Sequence, residues 1–564
     1  MNHPSIWTTG STEAIHTGTW RAALPHYISA PAPCHQACPV NGEIADWIGL
    51  ARKRDWHGAW EVLTRHNPFP AIAGRVCHHP CESACNRAGY DSALAICKLE
   101  RTVGDIALER GWAFEPPRQE LHTHVAIVGG GPSGLSAAYQ LRRRGLQVSL
   151  FEGRSTLGGL MRHGIPPYRL ARDVLDGEIG RIVALGVQVH THHAIATSEE
   201  LARLRARHDA VYLAPGAQRP RRLAQLPEQA PWLMDSARYL ALANDGHAPA
   251  LGRHIAVIGG GSAALDVARS ARRAGHDVTI IALEAAARMP AQHEELVEAR
   301  EEGITLIDSA MLSTVQPQPG GGLLLECQPV HFEAGSTRGQ FTISPLALPP
   351  FSVQVDAIIS AVGQEPELDG WADGCARAGG LLQTDTRQAT SADGVWAGGD
   401  VSSMARFVTE AIGMGKHAAI DIARRLQLNT HAAQPLEAAM PANPKPTTRD
   451  DAARPQTVTL ERIATTYHPP AARVTEDRLA PAERLASGDE VQLPLSIQQA
   501  LDEAERCFSC GQCTHCDNCL QYCPDLAITR TDGGYAVLSD YCKGCGICVA
   551  ECPTGSMLMQ EELR

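Results

Sequence analysis

Two stretches of one design occupy the middle of the chain and fix what it can fold into. HVAIVGGGPSGLSAAYQLRRRGLQVSLFE (124–152) reads as an apolar strand, a glycine turn, an amphipathic helix and a second strand ending in an acid. HIAVIGGGSAALDVARSARRAGHDVTIIALE (254–284) repeats the pattern. In the first, Gly129 allows the tight turn, Gly131 lets the backbone approach a pyrophosphate, and Gly134 lets the helix close on the strand. The helix N-terminus then receives the pyrophosphate, and Glu152 accepts a ribose hydroxyl. In the second, Gly259, Gly261 and Ala264 take the three special positions and Glu284 ends the second strand. Glycine turns also join strands to helices that bind nothing, but here strand, helix, second strand and acid all fall where the mechanism needs them. Two dinucleotide sites in one chain most economically mean a flavin and a nicotinamide.

The 564 residues suffice for three or four domains. With 50 basic and 62 acidic residues, net charge −12, the chain offers no basic face to nucleic acid. No apolar run approaches the ~20 residues of a membrane helix, and MNHPSIWTTG lacks a signal-peptide core, so a cytoplasmic address is expected. Of 18 cysteines, 16 lie in two groups, Cys34 to Cys97 and Cys507 to Cys552. In a reducing compartment such grouping means metal or redox chemistry rather than disulfides. Cys327 and Cys375 stand alone and read as small buried side chains.

The C-terminal group carries the most specific spacing. Cys513, Cys516, Cys519 and Cys523 precede Pro524 as C-x2-C-x2-C-x3-C-P, and Cys542, Cys545, Cys548 and Cys552 before Pro553 repeat it. This is the bacterial two-cluster ferredoxin spacing, in which the fourth cysteine of each run ligates the other run's cluster. It assigns Cys513, Cys516, Cys519 and Cys552 to one 4Fe-4S cluster and Cys542, Cys545, Cys548 and Cys523 to the other. The N-terminal cysteines Cys34, Cys38, Cys77, Cys81, Cys85 and Cys97 lie among short helical segments, several about one turn apart. They read as an iron–sulfur domain, with zinc the alternative that the segment alone leaves open.

The expected architecture is α/β and multidomain. It comprises an N-terminal α-helical iron–sulfur domain (1–120), a flavin domain in two parts (121–249 and 346–429) with a nicotinamide domain inserted (250–345), a linker running over the surface (430–495), and a C-terminal α+β ferredoxin domain (496–564) whose first helix is capped by Ser496. DAIISAVG (356–363) and GVWAGGDV (394–401) read as returning strands of the flavin domain. Asp400 at such a strand end can bond the ribityl or phosphate side of a flavin. A helix starting near Thr409 can aim its N-terminus at the isoalloxazine O2.

Across about 30–430 the chain resembles the small subunit of glutamate synthase and the related flavin half of dihydropyrimidine dehydrogenase. The likeness rests on CPVN, GRVC with CESAC, VGGGPSGLSAA with LGGLMRHGIPPYRL, IGGGSAALDVA with RMPA and EEGI, and AGGDV with EAIGMGKHAA. It implies FAD in the first site, with Pro132, Ser133, Gly159 and Leu160 among its neighbours. It also implies a nicotinamide cofactor in the second site and 4Fe-4S clusters on the N-terminal cysteines.

Three departures matter. Members that use NADPH usually carry tyrosine and two arginines after the second nucleotide motif, whereas Ala282, Leu283 and Glu284 stand here; a carboxylate accepts a 2'-OH and repels a 2'-phosphate, so NADH is expected. The family's C-x2-C ahead of the positions matching Cys34 and Cys38 is missing, yet EAERCFSCG supplies Cys507 and Cys510 near the other end. The expectation is a fold-back in which Cys507 and Cys510 join Cys34 and Cys85. A second cluster would then use Cys38, Cys77, Cys81 and a fourth ligand that the resemblance places at Glu100, with Cys97 close by and the better iron ligand. The alternative is one N-terminal cluster with spare thiols. The third departure is the ferredoxin tail, which resembles that of subunits accompanying 2-oxoacid:ferredoxin oxidoreductases.

Nicotinamide moves electrons as a pair, a 4Fe-4S cluster moves them singly, and flavin does both. Hydride transfer to flavin needs positioning rather than a side-chain acid or base, so no catalytic side chain is nominated. His163 and Tyr168 are candidates to line the flavin or simply to pack. The function expected is an NAD(H)-linked electron-transfer subunit working with a 2-oxoacid:ferredoxin oxidoreductase-type partner or a ferredoxin. The alternatives are a glutamate synthase small subunit feeding a large subunit, and a scaffold whose nucleotide domains are relics. A stand-alone reductase lacks a barrel domain to hold its substrate.

Overall fold

The computed structural model describes residues 16, 18, 21–335, 339–427 and 457–562. His124–Val128, an apolar run of the kind buried on both faces, lies at the centre of a five-stranded parallel sheet. The order is Val395–Ala397, Ala210–Leu213, His124–Val128, Gln147–Phe151, Gln188–His190. A second parallel sheet of the same size runs Thr305–Ile307, Asp277–Ile281, His254–Ile258, Ala357–Ser360, Leu233–Asp235. Antiparallel strands Ala310–Pro317, Leu323–Ala334, Phe341–Pro345 and Phe351–Val355 are attached to it.

Two expectations about these sheets part company. GVWAGGDV does return to the flavin sheet, where Val395–Ala397 pairs with Ala210–Leu213. DAIISAVG does not, since Ala357 to Ser360 pair with Ile255 to Ile258 in the second sheet. The second nucleotide domain therefore takes in residues on both sides of the expected 250–345, from Leu233 to Ser360. The reason is physical: a short, fully buried apolar run suits the middle of either sheet, and its periodicity carries no address.

The ends of the chain trade places. Ala23–Tyr27, expected in the N-terminal helical domain, pairs antiparallel with Met557–Glu561 of the ferredoxin module. Conversely, Ile497–Glu505 starts at Ser496, whose side chain accepts from Gln499 N at 3.2 Å while Gln499 accepts from Ser496 N at 2.8 Å. This helix buries Ala500, Leu501 and Ala504 in the N-terminal core beside Trp47, Ile48 and Leu99. The boundary expected at 496 thus falls inside the N-terminal body.

The first half of the expected linker, 430–456, lies outside the described residues. Its second half is a strap rather than a surface run, because Val458, Ile463, Val491 and Leu495 are buried. Glu490 is its anchor, accepting from Arg75 Nε at 2.6 Å, Arg101 Nη2 at 2.8 Å and Ala171 N at 3.0 Å. Val491 N donates to Tyr168 O at 2.9 Å and Arg484 Nη1 to Glu301 at 2.8 Å, so one strap ties together the helical, flavin and second nucleotide domains. Removing one partner of a buried ion pair costs about 3 kcal/mol, because the other charges stay buried. Glu490→Ala is expected to lower unfolding stability by that amount in chemical denaturation; a loss below about 1 kcal/mol would mean that Arg75 and Arg101 find other partners.

Candidate functional site

The first glycine turn is shaped by contacts that leave no room for a side chain. Gly129 has φ +103°, and a Cβ there would lie 2.1 Å from Ala214 O. At Gly134 it would lie 1.9 Å from Gly129 O. Gly131 is different, since a Cβ would meet only Gly159 Cα at 3.9 Å, so the requirement there is for space above the turn. Pro132 opens the helix Pro132–Arg143 with the φ a first turn wants. Ser133 is buried and shares a 2.7 Å hydrogen bond with Tyr212. Glu152 Oε2 accepts from Gly130 N at 2.8 Å, which brings the acid to the turn as expected.

The loop after the second strand closes over this turn. Gly158 N donates to Gly130 O at 2.8 Å, and Gly159, at φ +53°, passes so near that a Cβ would be 2.9 Å from Gly131 Cα. Leu160 begins the short helix Leu160–His163 and is exposed. Burial holds the His163 imidazole neutral by pushing its pKa down to about 4. Asp400 follows Gly399, which lies against Ser133, and burial raises its carboxyl. The helix Val408–Gln427 starts one residue before Thr409 and packs on Pro132–Arg143, with Ser136 Oγ donating to Ile412 O at 2.8 Å.

The second turn has the same build. Gly259 has φ +137°, and a Cβ there would lie 2.5 Å from Ala361 O. Ala264 is fully buried and its N donates to Gly261 O at 2.9 Å. At Gly261 a Cβ would meet no atom within 4 Å among the described residues, so none of them demands glycine there. Glu284 reaches over the turn, with Oε2 2.7 Å from where a Gly260 Cβ would stand, and burial raises its pKa. Both turns present an open cradle at the pyrophosphate position and an acid beside it, which fits a dinucleotide at each.

The cysteines gather as the fold-back expectation requires. Cys34, Cys85, Cys507 and Cys510 line one cavity, walled by Ile44, Ile48, Leu94 and Ile96. Cys523, Cys542, Cys545 and Cys548 line another. Cys516 and Cys552 lie close enough to Cys513 and Cys519 to help burial raise the pKa of those two thiols electrostatically. Burial pushes the thiols up, Cys38, Cys510, Cys519 and Cys548 to about 12 and Cys507 to about 11.

Against that stands a repeated turn. His79, Ser509, His515 and Gly544, each two residues after a cysteine, have φ between +52° and +73°. Each donates its N–H at 3.4 Å to the sulfur of Cys77, Cys507, Cys513 or Cys542. Such donors favour thiolate. Buried thiolates need a nearby cation, which is what an iron cluster supplies.

Around Cys38, Cys77 and Cys81 the structure offers both candidate fourth ligands. Glu100 is half-buried, held by Asn67 Nδ2 at 2.7 Å, and pushed up to about 8 by desolvation and Cys77. Its charge acts on Cys38 and Cys81 as well. Cys97 donates to Ala73 O at 3.4 Å and bonds Cys77. Cys77 Sγ is also 3.6 Å from Thr409 Oγ1, so the residue expected at the flavin touches an expected iron ligand.

Sequence reasoning missed the joints around this point. His78 stacks on Phe407 at 3.8 Å, and Gln292 of the second nucleotide domain donates to Cys77 O at 3.1 Å. Arg169 bonds Asp266 at 2.7 and 2.9 Å and pairs with Glu295, while Tyr168 lies under Arg273 at 3.8 Å. Tyr168 therefore joins domains rather than facing a ligand. The sequence signal for these contacts was at most the shared presence of IPPYRL and RMPA.

Two dinucleotide cradles fused to two cysteine-rich bodies define a flavin- and nicotinamide-dependent oxidoreductase with iron–sulfur modules. The chain belongs to the pyridine nucleotide-disulphide oxidoreductase family, whose model matches residues 123–415. The model for dihydropyrimidine dehydrogenase domain II, 4Fe-4S cluster, matches 27–112, and that for the 4Fe-4S dicluster domain matches 512–556. The NADP(+)-dependent formate dehydrogenase subunit beta of Moorella thermoacetica is 31% identical over 526 residues, 87% of this chain and 72% of the relative. The glutamate synthase [NADPH] small chain of Azospirillum brasilense is 30% identical over 410 residues, 68% of this chain and 84% of the relative. The NAD-dependent dihydropyrimidine dehydrogenase subunit PreT of Escherichia coli K12 is 31% identical over 392 residues, 69% and 89% respectively. FAD, NAD(P) and 4Fe-4S clusters are thus the cofactors of this chain's domains, and it is an electron-transfer subunit of that broad class. Among the described residues no helix is long and apolar enough to cross a membrane.

Because no atom of the described residues fills the space above Gly261, Gly261→Val is expected to leave the unfolding midpoint and bound FAD unchanged. It should abolish bleaching of the flavin by NAD(P)H. Loss of flavin together with the bleaching would show that the residue serves folding instead.

Proposed function

We propose that the chain is an NAD(H)-linked flavin and iron–sulfur subunit that exchanges electrons between NAD(H) and a protein partner, acting in the cytoplasm. The observation that carries this is the continuity of cysteine pockets. Cys77 touches Thr409 at the flavin helix, and Cys38 and Cys34 belong to the same short segment. Cys34 shares a cavity with Cys507 and Cys510, and Cys513 follows three residues on. Cys519 and Cys523, with Cys548 and Cys552, join the last two groups.

Four clusters would then be held by Cys38, Cys77, Cys81 and Glu100; by Cys34, Cys85, Cys507 and Cys510; by Cys513, Cys516, Cys519 and Cys552; and by Cys523, Cys542, Cys545 and Cys548. Glu100 is preferred over Cys97 because its charge reaches three of the cysteines, whereas Cys97 bonds Cys77 and Ala73 O. Among the described residues no three His, Cys, Asp or Glu side chains converge tightly enough to hold a single ion. The doubled C-x2-C-x2-C-x3-C-P spacing is what favours iron clusters over zinc. A flavin turns paired electrons into single ones, and the protein's share is to place that group between the nucleotide cradle and Cys77.

The partner favoured is a 2-oxoacid:ferredoxin oxidoreductase-type enzyme or a ferredoxin. The ferredoxin module has no evident use in a glutamate synthase small subunit, the second reading. Glu284 at the second cradle supports NADH. Steady-state reduction of an artificial acceptor is expected to show kcat/KM for NADH at least about tenfold above that for NADPH, and Glu284→Ala should narrow the gap. Equal values for the two would end the NADH assignment. The Cys507→Ser, Cys510→Ser double variant is expected to lose about four irons per chain, one 4Fe-4S cluster, and unchanged iron would refute the fold-back ligation.

A further inference from the structure

The two C-terminal cysteine runs are internal repeats, so equivalent positions can be compared within one molecule. Each closes on Cys-Pro-x-x, as Cys523-Pro524-Asp525-Leu526 and Cys552-Pro553-Thr554-Gly555. The last position is left-handed in both, φ +52° at Leu526 and +68° at Gly555. Glycine adopts this conformation freely, whereas leucine is strained in it. Gly555 is also enclosed, since a Cβ would lie 2.7 Å from Val458 Cγ1 of the strap.

The other end of the module is open. Leu526 is 77% exposed. Ile547, on the lining of the Cys523, Cys542, Cys545 and Cys548 cavity, is exposed, and so are Cys545 and Leu538, whose carbonyl accepts from Cys542 N. A leucine held out into water, in strained backbone, at a position where its twin is glycine does nothing for the folding of this chain. Such outliers persist where function needs them.

We propose that Leu526, with the exposed Ile547 and Leu538 of the same module, is the knob of a docking surface for a protein electron carrier whose contact face is an apolar socket inside a basic collar. The inference rests on the electron-transfer reading above and adds the port and the chemistry of the partner. Residues 512–562 contain seven acidic side chains, Asp517, Asp525, Asp532, Asp540, Glu551, Glu561 and Glu562, against two basic ones, Arg530 and Lys543. Arg530 pairs with Asp517, Lys543 with Asp525 at 2.8 Å, and Arg21 of the paired N-terminal segment with Glu562 at 2.6 Å, which still leaves carboxylates in surplus on the module. That surplus steers in a basic partner and repels a second copy of the same module. Ile547 and the exposed Cys545 line the cysteine cavity at the far end of the series from Cys77, and Asp525, next to Leu526, lines it too.

The test uses the full chain with its cofactors, NADH as donor, and mitochondrial cytochrome c, a small basic haem protein, as the docking probe. Ferricyanide serves as an acceptor too small to need docking. Leu526→Gly, which installs the residue of the twin position, is expected to slow cytochrome c reduction about tenfold while Leu526→Met keeps most of it. Ferricyanide reduction, iron and flavin content should not change, and the unfolding midpoint should stay level or rise. Added salt should slow the wild-type reaction with cytochrome c.

A Leu526→Gly rate within about twofold of wild type, with ferricyanide reduction intact, overturns the docking surface and leaves the electron-transfer reading standing. Equal slowing with both acceptors places Leu526 in the integrity of the module and overturns it too, as would a wild-type dimer that Leu526→Gly dissociates. NADH reduction of neither acceptor removes the electron-transfer reading itself, and this inference with it.

Discussion

A thiol walled in by isoleucine and leucine keeps its proton unless a cation lies beside it, and this conflict organises both ends of the chain. Burial pushes Cys507 and Cys510 far above the ordinary thiol range, yet Ser509 N and Asn86 Nδ2 donate to their sulfurs as they would to thiolates. Metal charge would satisfy both demands. The first cavity draws Cys34 and Cys85 from one terminus and Cys507 and Cys510 from the other, so metal in it would close a very long loop. Closing that loop has an entropic cost that grows slowly with length, and binding a metal to a site absent from the unfolded chain contributes directly to folding. The capped helix Ile497–Glu505 and the strand Ala23–Tyr27, exchanged between the two bodies, share that cost through ordinary burial and pairing.

What could be read in the sequence was what backbone geometry dictates locally. Gly129, Gly134 and Gly259 announce themselves because a Cβ would collide with a carbonyl oxygen, and the acid at each second strand's end falls at its turn for the same geometric reason. The return of Cys507 and Cys510 was legible as two thiols beyond what a ferredoxin needs. The sheet membership of Ala357–Ser360 was not, because a four-residue buried run is equally content in either sheet. The strap was hidden for another reason. Glu490 is an ordinary acid in a stretch of weak periodicity, and its meaning lies in Arg75 and Arg101, which are remote in sequence.

Thr409 shows how the structure can add a contact that the sequence pattern does not announce. The start of Val408–Gln427 was expected to serve the flavin through its helix N-terminus, which asks nothing of the side chain. In the fold the Thr409 hydroxyl lies against Cys77, and the neighbouring Phe407 stacks on His78. The side-chain contact with Cys77 is not written in the strand-turn-helix pattern, which speaks only to the backbone of the helix start.

The same junction bears on how the nucleotide domain is held. Arg169 reaches Asp266 and Glu295 across the boundary between the two nucleotide domains, Gln292 bonds the carbonyl of Cys77, and Arg484 on the strap bonds Glu301. Apolar residues of similar size would stick these surfaces together at least as strongly, since buried ion pairs add little net stability. What paired charges add is register: a guanidinium bonded to two fixed carboxylates tolerates no sliding, whereas a greasy interface does. The domain that carries the nicotinamide cradle is therefore locked in one orientation to the loop that carries Cys77, and a domain rotation would have to break several buried ion pairs at once. Hydride entry and single-electron exit are built on one frame, which argues for a subunit that works by fixed spacing rather than by opening and closing.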